Sequence, residues 1–537
     1  MQLARRLKRG ATACAAFALA ALAAPPASAG PCAPDARVPG VARLYSQGVG
    51  LDLAGTRTQD ARRTAISAAN VARLRVKWVY GLATQNPRFF PLVSEDTIFV
   101  GDTGRGLVAL DRESGCERWA SPHKGQIASA IVFDRAQTGG RLYFSDRRAG
   151  LVALDAFDGH HLWTAKPEGP RNPLQVFSGS PLVHDGIAYV PISSAEIGLP
   201  INPFYGCCTT SGGMAALDSA TGRQLWYRKT VEEPPQITGR HFLFVEEWGP
   251  SGAPVWGSPS LDAERGLLLF GTGQNYSHPT SATSDAIFAL DAQDGTVRWV
   301  RQFTEGDAFN MACAMGPNYP NCPRPMGPDT DFGAPPVLAH LADGRALVVA
   351  GQKSGGLFAM AADSGEVVWQ NKAGRGGALG GIHWGIAVNE ELGLVFAGVS
   401  DIAAIPTAEE AVPGVQAFDL ATGAPRWTHR REARCEKREC WGGVSAALTA
   451  GPDLVFAGSL DGYLEALDAR TGEVLWSHDS WRAYETVNGV PAEGGSFDAY
   501  GPMLADDLLI VSSGYGGFGE KPGNAFLVFA LDGEDAP

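Results

Sequence analysis

EALDARTGEVLW, residues 465–476, decides the fold, because variants of it recur through the chain. The same phrase reads VALDRESGCERW at 108–119, VALDAFDGHHLW at 152–163 and AALDSATGRQLW at 215–226. It returns as FALDAQDGTVRW at 288–299, FAMAADSGEVVW at 358–369 and QAFDLATGAPRW at 416–427, making seven complete copies. A short apolar run, a Gly-containing turn and a returning run ending in Trp describe a β-hairpin. Recurrence of one unit at such spacings is the signature of a repeat architecture. An eighth opening, FALDG at 529–533, has no Trp after it, and a Trp without an opening stands at Trp78 in LRVKW, 74–78. A closed ring joins the two fragments in one blade, leaving no sheet edge unpaired. The expected fold is therefore all-β, an eight-bladed β-propeller closed by N- and C-terminal strands. An open array of hairpins would leave both fragments unexplained.

Within the repeat, Asp caps the turn, Gly supplies positive φ and Trp packs between blades while donating its indole N–H. Asp111, Asp155, Asp218, Asp291, Asp419 and Asp468 are accordingly read as scaffold.

Composition narrows the classes of function. The 537 residues contain 67 Gly and 36 Pro, as suits a turn-rich β chain, and the repeats run nearly end to end, so one large domain is expected. A net charge of −13 argues against a nucleic-acid partner. Beyond the N-terminal segment, no apolar run approaches the roughly 18 residues of a membrane-spanning helix. Arg5, Arg6, Lys8 and Arg9, an apolar stretch over 11–24 and Ala27-Ser28-Ala29 make residues 1–29 a signal peptide, with the propeller domain at 30–537. A periplasmic or secreted protein is expected.

Cysteine usage agrees with export. Eight cysteines remain after residue 29, and local spacing suggests Cys313 with Cys322, Cys435 with Cys440, and Cys32 with Cys116, leaving Cys207 beside Cys208 as a vicinal pair. A metal site is the rival for the two short pairs, but no Cys or His sits at CxxC spacing.

Intervals between successive Trp residues are 41 and 44, then 63, 73, 70 and 58, then 49. A plain four-stranded blade takes about 40–45 residues. The middle blades thus carry insertions, and loops on a rigid scaffold are where function concentrates. Those insertions hold Glu196, Cys207-Cys208, Trp256, Asn275 and the acidic pair Asp329 and Asp331.

At these stretches the chain resembles the pyrroloquinoline quinone (PQQ) dehydrogenases, and is most similar to their polyvinyl-alcohol branch. The resemblance spans nearly the whole mature chain and is close in YGCCTTSGGMAALD (205–218), VWGSPSLD (255–262), GTGQNYS (271–277), GPDTDFGAPPVL (327–338), GQKSGGLFAM (351–360) and SSGYG (512–516). The repeat alone is weaker, since scaffold propellers of outer-membrane assembly share it. The resemblance implies PQQ and Ca2+ as cofactors. Trp256 would stack beneath the quinone, and Ser178, Ser194, Ala195 and the Cys207-Cys208 ring would line it. Arg105 would pair with a quinone carboxylate, an exposed turn Arg being the alternative, and Lys353 would face the quinone oxygens. Glu196 would bind calcium together with Gln274 or Asn275 and with Asp331. Asp331 would also be the catalytic base, with Asp329 as rival.

That combination suits hydride transfer: a cation polarises a quinone carbonyl while a carboxylate takes the hydroxyl proton. Gly333 stands two residues after Asp331, where a second Asp would favour a lanthanide, so calcium is expected. No CxxCH occurs in these residues, so a soluble cytochrome c is the expected electron acceptor. The expected activity is oxidation of a secondary or polymeric alcohol. The alternatives are a PQQ-dependent sugar or aldehyde dehydrogenase and a non-catalytic binding propeller.

Overall fold

Each copy of the repeat forms the two outer strands of a four-stranded antiparallel sheet, except where the chain closes on itself. In the computed structural model, residues 31–532 are described apart from 33–36, 40, 135–139, 170–173, 403–409, 435–439 and 518. Eight such sheets follow one another as blades, the third carrying a short fifth strand, Gln175–Val176. Blade 1 comprises Leu92–Val93, Thr97–Asp102, Gly106–Asp111 and Glu117–Ala120 from inside to outside. Blades 2 to 7 repeat this order, their inner strands beginning at Val132, Leu182, Ser260, Val337, Ile386 and Thr449.

Blade 8 takes Met503–Ala505, Leu508–Ser513 and Ala525–Leu531 from the C-terminus and Leu74–Gly81 from the N-terminus. Trp78 pairs with Val528 and Leu74 with Leu531, so the two fragments of the repeat do meet in one sheet. Gly533 lies outside the described residues. The third strands are almost wholly buried because neighbouring blades cover both faces, which is why they read as continuous apolar runs.

The repeat holds blade to blade. Trp163 Nε1 donates to Ala220 O at 3.2 Å, Trp299 to Ala362 O at 2.9 Å, and Trp476 to Leu74 O at 3.3 Å across the closure. The rings of Trp163 and Trp299 lie against the turn glycines of the next blade, Gly222 and Gly365. A Cβ on Gly222 would come within 2.9 Å of Trp163, and Gly222 has φ +74°, so the position admits no other residue without strain. Asp218 accepts from Thr221 N and Oγ1, and Asp468 from the backbone of Arg470 and Thr471, as capping residues should. Trp119 is the exception, for its buried Nε1 has no partner.

Disulfides join Cys32 to Cys116, Cys207 to Cys208 and Cys313 to Cys322. Cys440 is also disulfide-bonded, while Cys435 lies outside the described residues.

Two features had no counterpart in the repeat. Residues 45–66 cross one end of the central channel and exchange backbone hydrogen bonds with successive blades. Tyr45 N donates to Val93 O, Leu261 N to Leu53 O, Leu338 N to Ala54 O, Val388 N to Thr56 O and Gln59 N to Ala450 O. The segment is a plug, with the fully buried Arg57 at its centre.

The second is a buried ionic cluster between blades 6 and 7. Arg431 pairs with Asp461 at 3.0 Å and with Glu465, and Arg434 also pairs with Glu465. Burial works to raise the Glu465 pKa, but His429, Arg431 and Arg434 outweigh it and hold it down at about 2. A depressed carboxylate contributes stability above its unfolded pKa of 4.5 and loses it as pH falls toward 2. Glu465→Gln is therefore expected to destabilise the protein by about 3 kcal/mol at pH 7. The difference should vanish as pH falls from about 4.5 toward 2, as denaturant titration at several pH values would show.

Candidate active site

The channel end opposite the plug is lined by residues three or four positions ahead of each inner strand: Arg88, Ala128, Ser178, Trp256, Gly333, His383 and Ser445 for blades 1 to 7. The loops after the second strands, which include the long insertions, open on the same end because antiparallel neighbours reverse direction. Side chains from these two sets converge on Trp256.

Trp256 Nε1 donates to Asp331 Oδ2 at 2.9 Å, and the backbone N–H of Gln274 donates to Asp331 Oδ1 at 3.0 Å. Lys353 Nζ lies 3.1 Å from Asp331 Oδ2 and 3.1 Å from Asp329 Oδ1, and 5.6 Å from the centre of the Trp256 ring. All three charged side chains are buried. Burial opposes charge on Lys353, but Asp329 and Asp331 outweigh it and hold the ammonium above its usual range. Asp329 is pushed up to about 8 by burial, with Lys353 pulling the other way and Asp331 adding to the rise. The two carboxylates share Lys353 but differ otherwise: Asp331 also accepts from Trp256 Nε1 and Gln274 N, while Lys353 is the side-chain partner of Asp329.

Gly333 makes room for this arrangement. A Cβ there would fall 1.9 Å from Trp256 Cη2, so no side chain fits while the ring stays in place.

The two amide candidates differ sharply. Asn275 uses its whole carboxamide internally, Nδ2 donating to Ser251 O and Ser281 Oγ and Oδ1 accepting from Ser281 N. Gln274 anchors only its Nε2, on Phe309 O, and its buried Oε1 has no partner among the described residues. Glu196, wholly buried, accepts from Tyr205 Oη at 2.7 Å and from the backbone N–H groups of Thr209 and Thr210. Ser194 Oγ accepts from Glu196 N and from Thr210 Oγ1, and Ala195 N is bonded to Leu174 O, so both hold the Glu196 loop. Cys207 and Cys208 pack with Tyr276, the residue after Asn275, and Asn310 Nδ2 is 3.9 Å from Cys207 Sγ.

Arg105 is not brought to this site. It lies on the same face but makes a two-pronged ion pair with Glu117 at 2.6 and 2.7 Å and donates to Tyr80 Oη, tying outer strands of blades 1 and 8. Arg88 takes the central place. Its guanidinium lies 4.8 Å from the Trp384 ring, Nη2 reaches Ser178 O at 3.4 Å, its buried Nε has no partner, and no carboxylate pairs with it among the described residues. Trp384 stands edge-on to Trp256 at 5.3 Å with its own Nε1 unpartnered, and His383 is edge-on to Trp256 at 5.9 Å. Sequence reading missed Arg88, His383 and Trp384; the signal that finds them is their position just ahead of an inner strand.

Comparison with known proteins sets this geometry in context. A family model described as outer membrane protein assembly factor BamB matches residues 62–246 and 286–520. A polyvinylalcohol dehydrogenase of Sphingopyxis sp. (strain 113P3) is 34% identical over 494 residues, covering 88% of this chain and 74% of that protein. The quinoprotein alcohol dehydrogenase PedH of Pseudomonas putida is 23% identical over 537 residues, covering 84% and 83%. The crystal structure of a quinohemoprotein alcohol dehydrogenase from Comamonas testosteroni shares the fold, with a TM-score of 0.66 at 18% identity over 92% of this chain and 81% of that one.

Proposed function

This chain belongs to the PQQ-dependent alcohol dehydrogenase family, and from that premise we propose that it oxidises secondary carbinols, including those of a polymer, with calcium beside the quinone. The observation that supports this most is the convergence of Trp256, Asp331 and Lys353 with unpartnered polar atoms on Gln274, Arg88 and Trp384.

The residues present suit the cofactor. A flat, anionic ring calls for an aromatic face, fixed cations and N–H donors. Trp256, Lys353, Arg88 and Trp384 offer these. Gln274 Oε1 is the open oxygen donor of the kind a hard cation takes; the carboxylates of Glu196 and Asp331 are anionic oxygen donors that also accept internal hydrogen bonds, and the neutral Asn275 carboxamide is bonded at both ends. Gly333 leaves no room for the additional carboxylate of a lanthanide site, which favours calcium.

When bound, PQQ would supply the carbonyl carbon that receives hydride, and the cation would polarise that carbonyl. Asp331 takes the substrate hydroxyl proton on a carboxylate oxygen. Trp256 Nε1 and Gln274 N hold that carboxylate in one orientation, so little reorganisation is needed when the proton moves. The Lys353 ammonium offsets negative charge as it builds at the reacting oxygen.

Electrons would pass to a separate one-electron acceptor of the soluble cytochrome c kind. The signal-like residues 1–29 and the disulfides support a periplasmic location. The sequence similarity to a polyvinylalcohol dehydrogenase supports a polymeric substrate.

Reconstitution of the purified protein with PQQ and calcium tests the reading. Quinone absorbance retained with the protein and alcohol-dependent dye reduction are expected; no binding at micromolar PQQ would sink it. The two arginines separate in the same assay. Arg88→Ala is expected to weaken PQQ binding by about tenfold or more, the loss of one charge-assisted contact. Arg105→Ala should leave binding within about twofold while lowering thermal stability.

A further inference from the structure

His383 has a task left open by the steps above. Its Nδ1 lies 3.0 Å from Ser445 Oγ, the channel-lining residue of the next blade, and its Nε2 makes no hydrogen bond among the described residues. Its ring is edge-on to Trp256 at 5.9 Å and tilted against Trp384 at 5.3 Å. Ser445 also stands close enough to Asp498, which precedes the inner strand of blade 8, for its hydroxyl to favour the ionised carboxylate. Asp498 is 8% exposed and neighbours Glu520, at 9%, beside the exposed Gly519. The three side chains thus run from the side of Trp256, across blades 6, 7 and 8, to just beneath the surface.

We propose that His383, Ser445 and Asp498 form a proton path between the site and solvent. The proposal rests on the site reading given above. Oxidation of one carbinol to a carbonyl releases two electrons and two protons. The electrons leave to a one-electron acceptor, so each turnover must return both protons to water. In the path, His383 Nε2 takes a proton from the site while Nδ1 gives its own to Ser445 Oγ. The serine proton passes to Asp498 and from there to water; reverse rotation of the serine hydroxyl and proton exchange on the imidazole reset the chain.

The surroundings suit this use. Burial and the charges of Lys353 and Arg88 keep His383 well below its usual pKa, so the imidazole is neutral between transfers. Asp498 is pushed up to about 7 by burial, with Ser445, the Ala499 N–H and Arg88 lowering it and Glu520 raising it. A carboxyl poised near neutrality both accepts and releases protons at low cost.

Asp498→Asn keeps the shape and an acceptor for Ser445 but holds no transferable proton. In the PQQ-loaded enzyme it should keep quinone affinity within about twofold and lose about tenfold of kcat near pH 7. The neutral limb of the pH profile should disappear, and formate should restore part of the rate. A second readout needs no turnover. In the cofactor-free protein, the 15N signals of His383, identified by their loss in His383→Gln, should report a titration near pH 7 that is absent in Asp498→Asn and Ser445→Ala. His383 signals indifferent to both substitutions, or a kcat and pH profile unchanged in both, would overturn the path. A wild-type protein that shows the coupled signals yet binds no PQQ would instead overturn the quinone reading, leaving only the hydrogen-bonded chain.

Discussion

Asp331→Asn is expected to retain PQQ and calcium and to lose about a thousandfold of kcat. The asparagine can keep an oxygen toward Trp256 Nε1 and Lys353, with its NH2 then facing the Gln274 N–H, so one anchor of the site floor is lost as well as the group that accepts the substrate proton. Asp329→Asn should behave differently. Burial raises the Asp329 pKa while Lys353 pulls it down, so an amide there should be tolerated better at neutral than at alkaline pH. Its loss should be less than about tenfold at pH 7 and should grow as pH rises through 8, where the wild-type carboxyl ionises beside Lys353. Stopped-flow reduction of the bound quinone by a secondary alcohol, from pH 6 to 9, measures both. Comparable losses in the two variants would make the carboxylates a joint base; full activity in Asp331→Asn would move the base elsewhere.

The outcome turns on which of the site's features local sequence can express. The blades were legible because their contacts repeat: Asp218 caps its own turn, Gly222 has the positive φ that the turn demands, and Trp163 meets that Gly one blade on. Trp256, Asp331 and Lys353 were legible as departures from that rhythm, set in motifs that resemble a known family. Arg105 and Arg88 show where this ends. Arg105 sits in a promising turn, and only the non-local approach of Glu117 and Tyr80 draws it away from the channel. Arg88 lies in no motif, and its place follows from strand register, four residues ahead of Leu92. Gln274 and Asn275 are adjacent amides that composition cannot separate. Ser281, six residues after Asn275, spends one of them and leaves the other free. Residues 45–66 were silent for a related reason, since their bonds are spread over six blades and no period results.

Arg57→Ala should then produce the largest loss of stability among single substitutions, about 4 kcal/mol or more, with kcat largely kept. Arg57 is 1% exposed, donates to Leu448 O, Val49 O, Thr449 Oγ1 and Pro502 O, and lies 5.1 Å from the Phe90 ring. No carboxylate pairs with it among the described residues, so its fork is matched to backbone carbonyls of the plug and of blades 7 and 8. Truncation strands those buried acceptors in a site that water reaches poorly, and each orphan costs about 1–3 kcal/mol. Lysine should not rescue, because one ammonium cannot satisfy acceptors spread around a planar fork. The plug contacts the ring at blades 1, 4, 5, 6, 7 and 8, so its release should loosen the ring as a whole. Limited proteolysis should then show early cleavage within residues 45–66, alongside the drop in denaturation midpoint. Because the plug closes the far end of the channel, PQQ added to Arg57→Ala should restore stability by mass action without restoring protection of that segment. Cleavage first in the loops around Trp256, with residues 45–66 still protected, would show that Arg57 serves the site rather than the plug.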